Sequence, residues 1–218
     1  MRKGNTFIQA LKSQLMLNLP GKSFQEQMAP VPRYITREML SRKQNIVQSA
    51  VLILLFPDDG KWHFILTERS DRVEYHRRQI SLPGGSREEG ETLQQTALRE
   101  TNEEIGVCRD DIVIVGKLSP LFIPVSGFNV HPFVGWAEEK PKINPDPVEV
   151  SMIHKITVQD LLEKNNLKQE TRIIHNVEVD VPYFDFERGK VWGATAMILG
   201  EFREVLRKTE KSLPNRKW

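Results

Sequence analysis

The chain has 218 residues, 39% apolar and 28% charged, enough for one sizeable core. Its 31 basic and 29 acidic residues leave a formal charge of +2, too balanced for the sequence-independent grip on phosphate backbones that makes a general nucleic-acid binder. The single cysteine, Cys108, excludes an internal disulfide and any zinc site needing two or more thiolates, and fits a reducing, cytoplasmic setting.

Phe7, Ile8, Leu11 and Leu15 recur at helical spacing and predict an amphipathic helix lying on the domain. Gln9, Lys12, Ser13 and Gln14 interrupt what a signal peptide would need as a continuous apolar centre. The same helix is a candidate homodimer contact. Pro20, Gly21, Pro30 and Pro32 among polar residues predict an extended connection over 20–45. Residues 46–56 and 62–68 are rich in β-branched and aromatic side chains and flank Pro57, Asp58, Asp59 and Gly60, a hairpin pattern. The first of these strands is too continuously apolar to have a wet face, so the sheet must be covered on both sides.

Further strands are expected at 111–118, 128–137, 171–178 and 182–186, and helices at 92–105, 157–165 and 193–208. Interleaved in this way they predict an α/β layered domain with helices on both faces of a mixed sheet. The expected division is an N-terminal helix and connection over 1–45, the main domain over 46–208 and a tail over 209–218. No apolar run reaches the roughly 20 residues of a membrane helix, so no membrane partner is expected.

The chemistry concentrates in Pro83 to Val107, PGGSREEGETLQQTALRETNEEIGV. A proline and two glycines form a turn that lets backbone approach a ligand. Thr92 and Gln95 have capping-box spacing, and Gly106 stands where a left-handed cap would end the helix. Between them Glu100, Glu103 and Glu104, related by i, i+3 and i+4, fall within an arc of about 100° and face one place. Ala97, Leu98, Thr101 and Ile105 occupy the neighbouring arc and would dock the helix on the sheet. Like charges at these spacings repel by a few tenths of a kcal/mol per pair in water, and by more where solvent is excluded. A divalent cation removes that penalty, and hard oxygen ligands select magnesium, manganese or calcium over zinc. Taken alone, the three glutamates also fit a solvated acidic helix face.

Gly85, five residues, Glu91, seven residues, then Arg99, Glu100, Thr101, Asn102, Glu103, Glu104, Ile105, Gly106 and Val107 resemble the Nudix box. Thr101 stands where that family usually has an aliphatic residue, a matter of helix packing. The resemblance implies an α/β/α sandwich with a mixed sheet and hydrolysis of nucleoside diphosphates linked to another group, using Mg2+ or Mn2+. It further implies Glu100, Glu103 and Glu104 as catalytic metal ligands, the carbonyl of Gly85 as another, and Glu91 as the partner of Arg99 that orients the helix. Glu88 and Glu89, in the variable loop of the box, read as solvated.

Leu66 to Gly85, LTERSDRVEYHRRQISLPGG, resembles the added signature of coenzyme A diphosphatases at Leu66, Thr67, Arg69, Ser70, His76, Gln79, Pro83, Gly84 and Gly85. Further matches lie at Leu121 to Gly135, at Pro147, Glu149 and Val150, and at Val191 to Leu199. Three positions depart: the pattern has arginine near Glu74, glycine at Arg78 and phenylalanine at Leu82. This likeness implies a CoA-like nucleotide substrate, with Arg69, Ser70, His76, Arg78 and Phe128 as substrate contacts. Arg72 and Arg77 are further candidates, because guanidinium groups suit both the 3′-phosphate and the diphosphate. Glu149 is a candidate for activating the attacking water. Phe128, Phe133, Trp62, Trp136 and Trp192 also read as core, and Cys108 as a small buried or half-buried thiol. The rivals are a pyrophosphatase for ADP-ribose, NADH or a nucleotide sugar, and a nucleotide-sensing module without catalysis.

Overall fold

The computed structural model describes residues 3–32, 46–71, 78–174, 177–187 and 189–213. Helix α1 (Lys3–Met16) is the amphipathic helix expected, and its Phe7, Ile8, Leu11 and Leu15 are all buried in the main core. The stretch after it is not simply extended. It folds into a short helix α2 (Lys22–Glu26), and Met28 and Ala29 join the same core, because these apolar groups have a helix face within reach.

Strands β1 (Val47–Asp58) and β2 (Lys61–Arg69) form the expected hairpin, with Asp58 opposite Lys61. Asp59 and Gly60 between them have φ of 49° and 72°, the pair of positive values that lets a two-residue turn follow the twist of the strands. Strand β3 (Ile80–Ser81) pairs antiparallel with Thr67 and Glu68 of β2, and β4 (Gly84–Ser86) lies beside Ser49–Val51 of β1. Helix α3 (Leu93–Ile105) follows. Strands β5 (Val113–Lys117) and β6 (Leu121–Ile123) pair antiparallel with β7 (Phe128–Trp136), which runs parallel to β1, and β8 (Val150–Thr157) returns along β2. The result is a mixed eight-stranded sheet.

The expected helix at 157–165 is a short α4 (Val158–Leu162) followed by a 3-10 turn at Lys164–Asn166. The strand expected at 171–178 sits four residues earlier, as β9 (Leu167–Ile174), and the one expected at 182–186 starts earlier and is longer, as β10 (Val177–Phe186). With β11 (Gly189–Trp192) they make a separate three-stranded sheet. Helix α5 (Gly193–Ser212) runs past the expected end at 208, since Thr209 and Leu213 are buried.

Side-chain alternation along β1 divides the interior. Ala50, Leu52, Leu54 and Phe56 cluster with Ala97 and Ile105 of α3. Ile53 and Leu55 point the other way, into the core that α1 and α5 cover. Each such fully buried side chain contributes about 1.5–3 kcal/mol relative to exposure. The strand thus has no wet face, and the architecture is the expected helix, sheet, helix sandwich.

Candidate active site

Helix α3 is fixed at both ends by its own sequence. The Thr92 hydroxyl accepts from the Gln95 N–H at 3.3 Å while the Gln95 side chain accepts from the Thr92 N–H at 2.8 Å. Gly106 closes the helix with φ of 70°, its N–H donating to the Asn102 carbonyl. Ala97, Thr101 and Ile105 are fully buried and Leu98 partly so, as the docking arc requires. Thr101 directs its hydroxyl to the Ala97 carbonyl at 2.7 Å, which satisfies the one polar atom that an aliphatic residue would lack.

Arg99 is the hub. Its Nε and Nη2 hold the Glu91 carboxylate at 2.7 and 3.1 Å, Nη2 also donates to the Ser86 carbonyl at 3.0 Å, and Nη1 donates to Glu100 and Glu103, each at 2.8 Å. Glu91 takes two further bonds, from the Thr96 hydroxyl at 3.0 Å and the Glu88 N–H at 3.2 Å. The guanidinium beside it, more than anything else, holds the Glu91 carboxyl down at about 2, and the same contacts raise Arg99 further above its ordinary value.

Gly84 seats β4 against β1 and Gly85 seats it against this helix. A side chain on Gly84 would collide with the Ala50 carbonyl, and one on Gly85 would meet the Glu100 carboxylate at 2.5 Å. Glu104 is only 4% exposed, and the Thr67 hydroxyl reaches it at 3.4 Å. Burial pushes its carboxyl up to about 8; the charges of Glu100 and Glu149 add to the rise, while Arg69 and the Gly84 N–H oppose it. Glu100 is also raised, first by burial and then by Glu103 and Glu149, against the pull of Arg99.

The three carboxylates do not converge as the helical arc alone suggests. Arg99 draws Glu100 and Glu103 to one guanidinium, and Glu104 turns to Thr67; among the described residues no three acidic, His or Cys side chains form a ready metal cluster. The donors nevertheless fit a hard divalent ion. Burial disfavours the charged forms of Glu100 and Glu104, and a cation among these oxygens removes that penalty.

Glu149 is half-buried, on the turn before β8, and its charge acts on both Glu100 and Glu104. Its turn is anchored at several points. Its carbonyl accepts from the Ser70 N–H at 2.8 Å, while the N–H groups of Asn144 and Asp146 donate to the carbonyls of Ile105 and Glu104 at 2.8 and 3.0 Å.

Among the residues expected to contact substrate, Ser70 is buried, and the Nε of Arg69 is buried without a hydrogen-bond partner among the described residues. Arg78 is exposed and grips Asp71 through three hydrogen bonds of 2.9–3.1 Å. Its φ of 56° keeps the left-handed backbone that a glycine there would adopt freely. Phe128 is half-buried against the core. His76, Arg72 and Arg77 lie outside the described residues. Cys108 is exposed rather than buried: Val107 beside it takes the buried position, and Cys108 opens the exposed 3-10 turn Arg109–Asp111. Thr67, Thr96 and the Ser86 carbonyl are site groups whose contacts the sequence does not assign. Of these only Thr67 had a signal, its place in the matched segment before the box.

A family profile described as NUDIX domain matches residues 47–177, more than half of the chain. A mitochondrial Nudix hydrolase 15 of Arabidopsis thaliana is 35% identical over 184 residues, covering 81% of this chain and 62% of that protein. Nudix hydrolase 3 of Caenorhabditis elegans is 32% identical over 176 residues, covering 78% of this chain and 71% of that one. The chain therefore spans about three fifths of the plant relative's length. In a crystal structure of a Nudix hydrolase from M. smegmatis, 16% identical, the fold is shared with a TM-score of 0.50 over 74% of this chain and 86% of that one. The box residues stand in register around Arg99, and sequence relatives and fold agree with them: the chain belongs to the Nudix hydrolase family.

Proposed function

We propose that the chain hydrolyses the diphosphate bond of coenzyme A, or of its acyl or oxidised derivatives, to 3′,5′-ADP and 4′-phosphopantetheine or the corresponding derivative. The observation that carries this reading is Arg69. Its buried Nε, without a hydrogen-bond partner among the described residues, lies in the segment that resembles the coenzyme A signature, and its charge acts on Glu104. A buried donor of that kind is costly until an acceptor arrives, and a phosphate oxygen supplies one.

Glu100, Glu103, Glu104 and the Gly85 carbonyl would hold Mg2+ or Mn2+. Bound there, the ion supplies positive charge to the diphosphate oxygens and polarises the attacking water. Arg99 keeps Glu100 and Glu103 in place through its bond to Glu91, and Arg69 binds a non-bridging oxygen. Glu149 accepts a proton as water oxygen bonds to one phosphorus, and the bridging P–O bond breaks with its electron pair leaving on the other phosphate. Ser70 shapes the wall beside Arg69.

Arg78 supports a second reading. Held by Asp71, it offers no free grip to a 3′-phosphate, which favours a pyrophosphatase that also takes ADP-ribose or NADH. The single cysteine supports a reducing, cytoplasmic location, although the plant relative is named mitochondrial. The test is incubation with Mg2+ or Mn2+ and a panel of coenzyme A, dephospho-CoA, ADP-ribose and NADH, with products read by mass spectrometry. Preferential release of 3′,5′-ADP from coenzyme A is expected. Preference for ADP-ribose or NADH would discard the coenzyme A reading and keep the chemistry, and no product from any of them would favour a sensing module.

A further inference from the structure

On the face of the sheet away from α3, a cavity of about 200 Å3 opens between α2, α5 and the start of β9. Met28, Phe184 and Arg203 line it as buried residues, while Leu167 is 40% exposed and Arg207 has a partly exposed side chain.

Arg203 is the unusual member. It is 6% exposed, lies 5.9 Å above the Phe184 ring, and uses Nη2 to donate to the carbonyls of Leu162 and Glu163 at 3.0 and 3.1 Å. Those two bonds close the end of α4. Its Nε is buried and has no hydrogen-bond partner among the described residues. Two carboxylates stand near the pair: Glu204 lines the cavity 3.9 Å from Arg207 and its charge acts on Arg203 as well, while Glu163, which offers Arg203 its carbonyl, adds its charge from outside the lining. Burial and the charge of Arg207 both push the Arg203 guanidinium down. Two cations thus border a partly apolar hollow with one loosely paired carboxylate.

We propose that this cavity is a binding site for a small monocarboxylate, its head held by Arg203 and Arg207 and its short apolar arm laid against Met28, Leu167 and Phe184. A planar carboxylate matches the fork of a guanidinium, and the apolar wall selects an arm over water. At about 30 Å3 per water-sized group, the volume admits a head and a chain of a few carbons. The site shares no residue with the carboxylates around Arg99, so its occupancy is read independently of hydrolysis.

The test uses the full chain and hexanoate, followed by calorimetric titration and by the thermal midpoint, with hexanol and inorganic phosphate as controls. Hexanoate should bind saturably and raise the midpoint, as any ligand selective for the native state does. Arg207→Gln should weaken it about tenfold, the loss of one charge-assisted contact, and Arg203→Lys should weaken it at least as much. Arg207 is partly in solvent, so its variant decides the matter even if Arg203→Lys does not fold. Absence of hexanoate binding, binding by Arg207→Gln as tight as by the unaltered chain, or binding of hexanol or phosphate as tight as that of hexanoate would overturn the proposal.

Discussion

Two glutamates are buried on opposite sides of the sheet, and their surroundings differ in kind. Glu201, on α5, is fully buried and saturated with donors: the Gly21 N–H at 3.0 Å, the Gln25 side-chain amide at 2.8 Å, and the Ser119 hydroxyl and N–H at 2.7 and 3.2 Å. It ties α2 and the turn before β6 to the last helix. Glu104, on α3, is nearly as deeply placed, yet its donors are a long contact from Thr67 and the Gly84 N–H, with two other carboxylates close enough to repel it. A buried carboxylate given every donor that it can use is a fastening. One left short of donors among like charges is poised for something positive.

The largest effect expected from this contrast is on turnover. Glu104→Gln, and likewise Glu103→Gln, should lower kcat on the order of a hundredfold or more while leaving the fold intact, since each removes a charge and keeps the shape. Near-normal kcat with unchanged circular dichroism would defeat the assignment. Glu201→Gln should do the reverse, costing about 3 kcal/mol in urea unfolding because an amide group would face donors, with little change in kcat per folded molecule.

Glu91, paired with Arg99, and Glu104, outside that network, should also titrate oppositely. Glu91 is held at about 2, below its unfolded value, so its contribution to stability is present above about pH 4.5 and is lost as pH falls toward 2. Glu104 is raised to about 8, so stability is greatest while it is protonated and declines as pH rises from about 4.5 through 8. Thermal midpoints in the presence of a chelator should therefore fall on both sides, and Glu104→Gln should flatten only the alkaline limb. An alkaline limb unchanged by that substitution would show that another group causes it. The smallest effect concerns Arg78→Gly, which keeps the left-handed backbone and releases Asp71; the ratio of coenzyme A to dephospho-CoA cleavage should stay within about threefold. A tenfold drop would mean that Arg78 leaves Asp71 to bind phosphate.

The central elements were legible in the sequence because local chemistry marks them. Thr92, Gln95 and Gly106 bound α3 as they should, and the apolar run of β1 announces a strand covered on both faces. What escaped depends on distant partners. Strands β3, β4, β6 and β11 have two to four residues each and exist only because a longer strand offers free hydrogen-bonding groups. The polar alternation of LKQETRII hides the first residues of β9, before the expected 171, until β10 pairs with them. At the site, the helical arc predicted three carboxylates together but could not show that Arg99 would claim two of them. The Glu201 network left one trace, a lone charge within the apolar MILGEF stretch of α5.

The turn that carries Glu149 has a mechanical consequence. Asn144 and Asp146 donate to the Ile105 and Glu104 carbonyls, backbone groups that the end of α3 leaves without a helical partner. The turn is in this way stitched across the end of the helix, and the two move as one piece. Ser70, whose N–H donates to the Glu149 carbonyl, and Arg69, paired with Val150, are tied to the same piece, so that Glu104, Glu149 and the end of β2 keep their spacing as substrate enters and leaves.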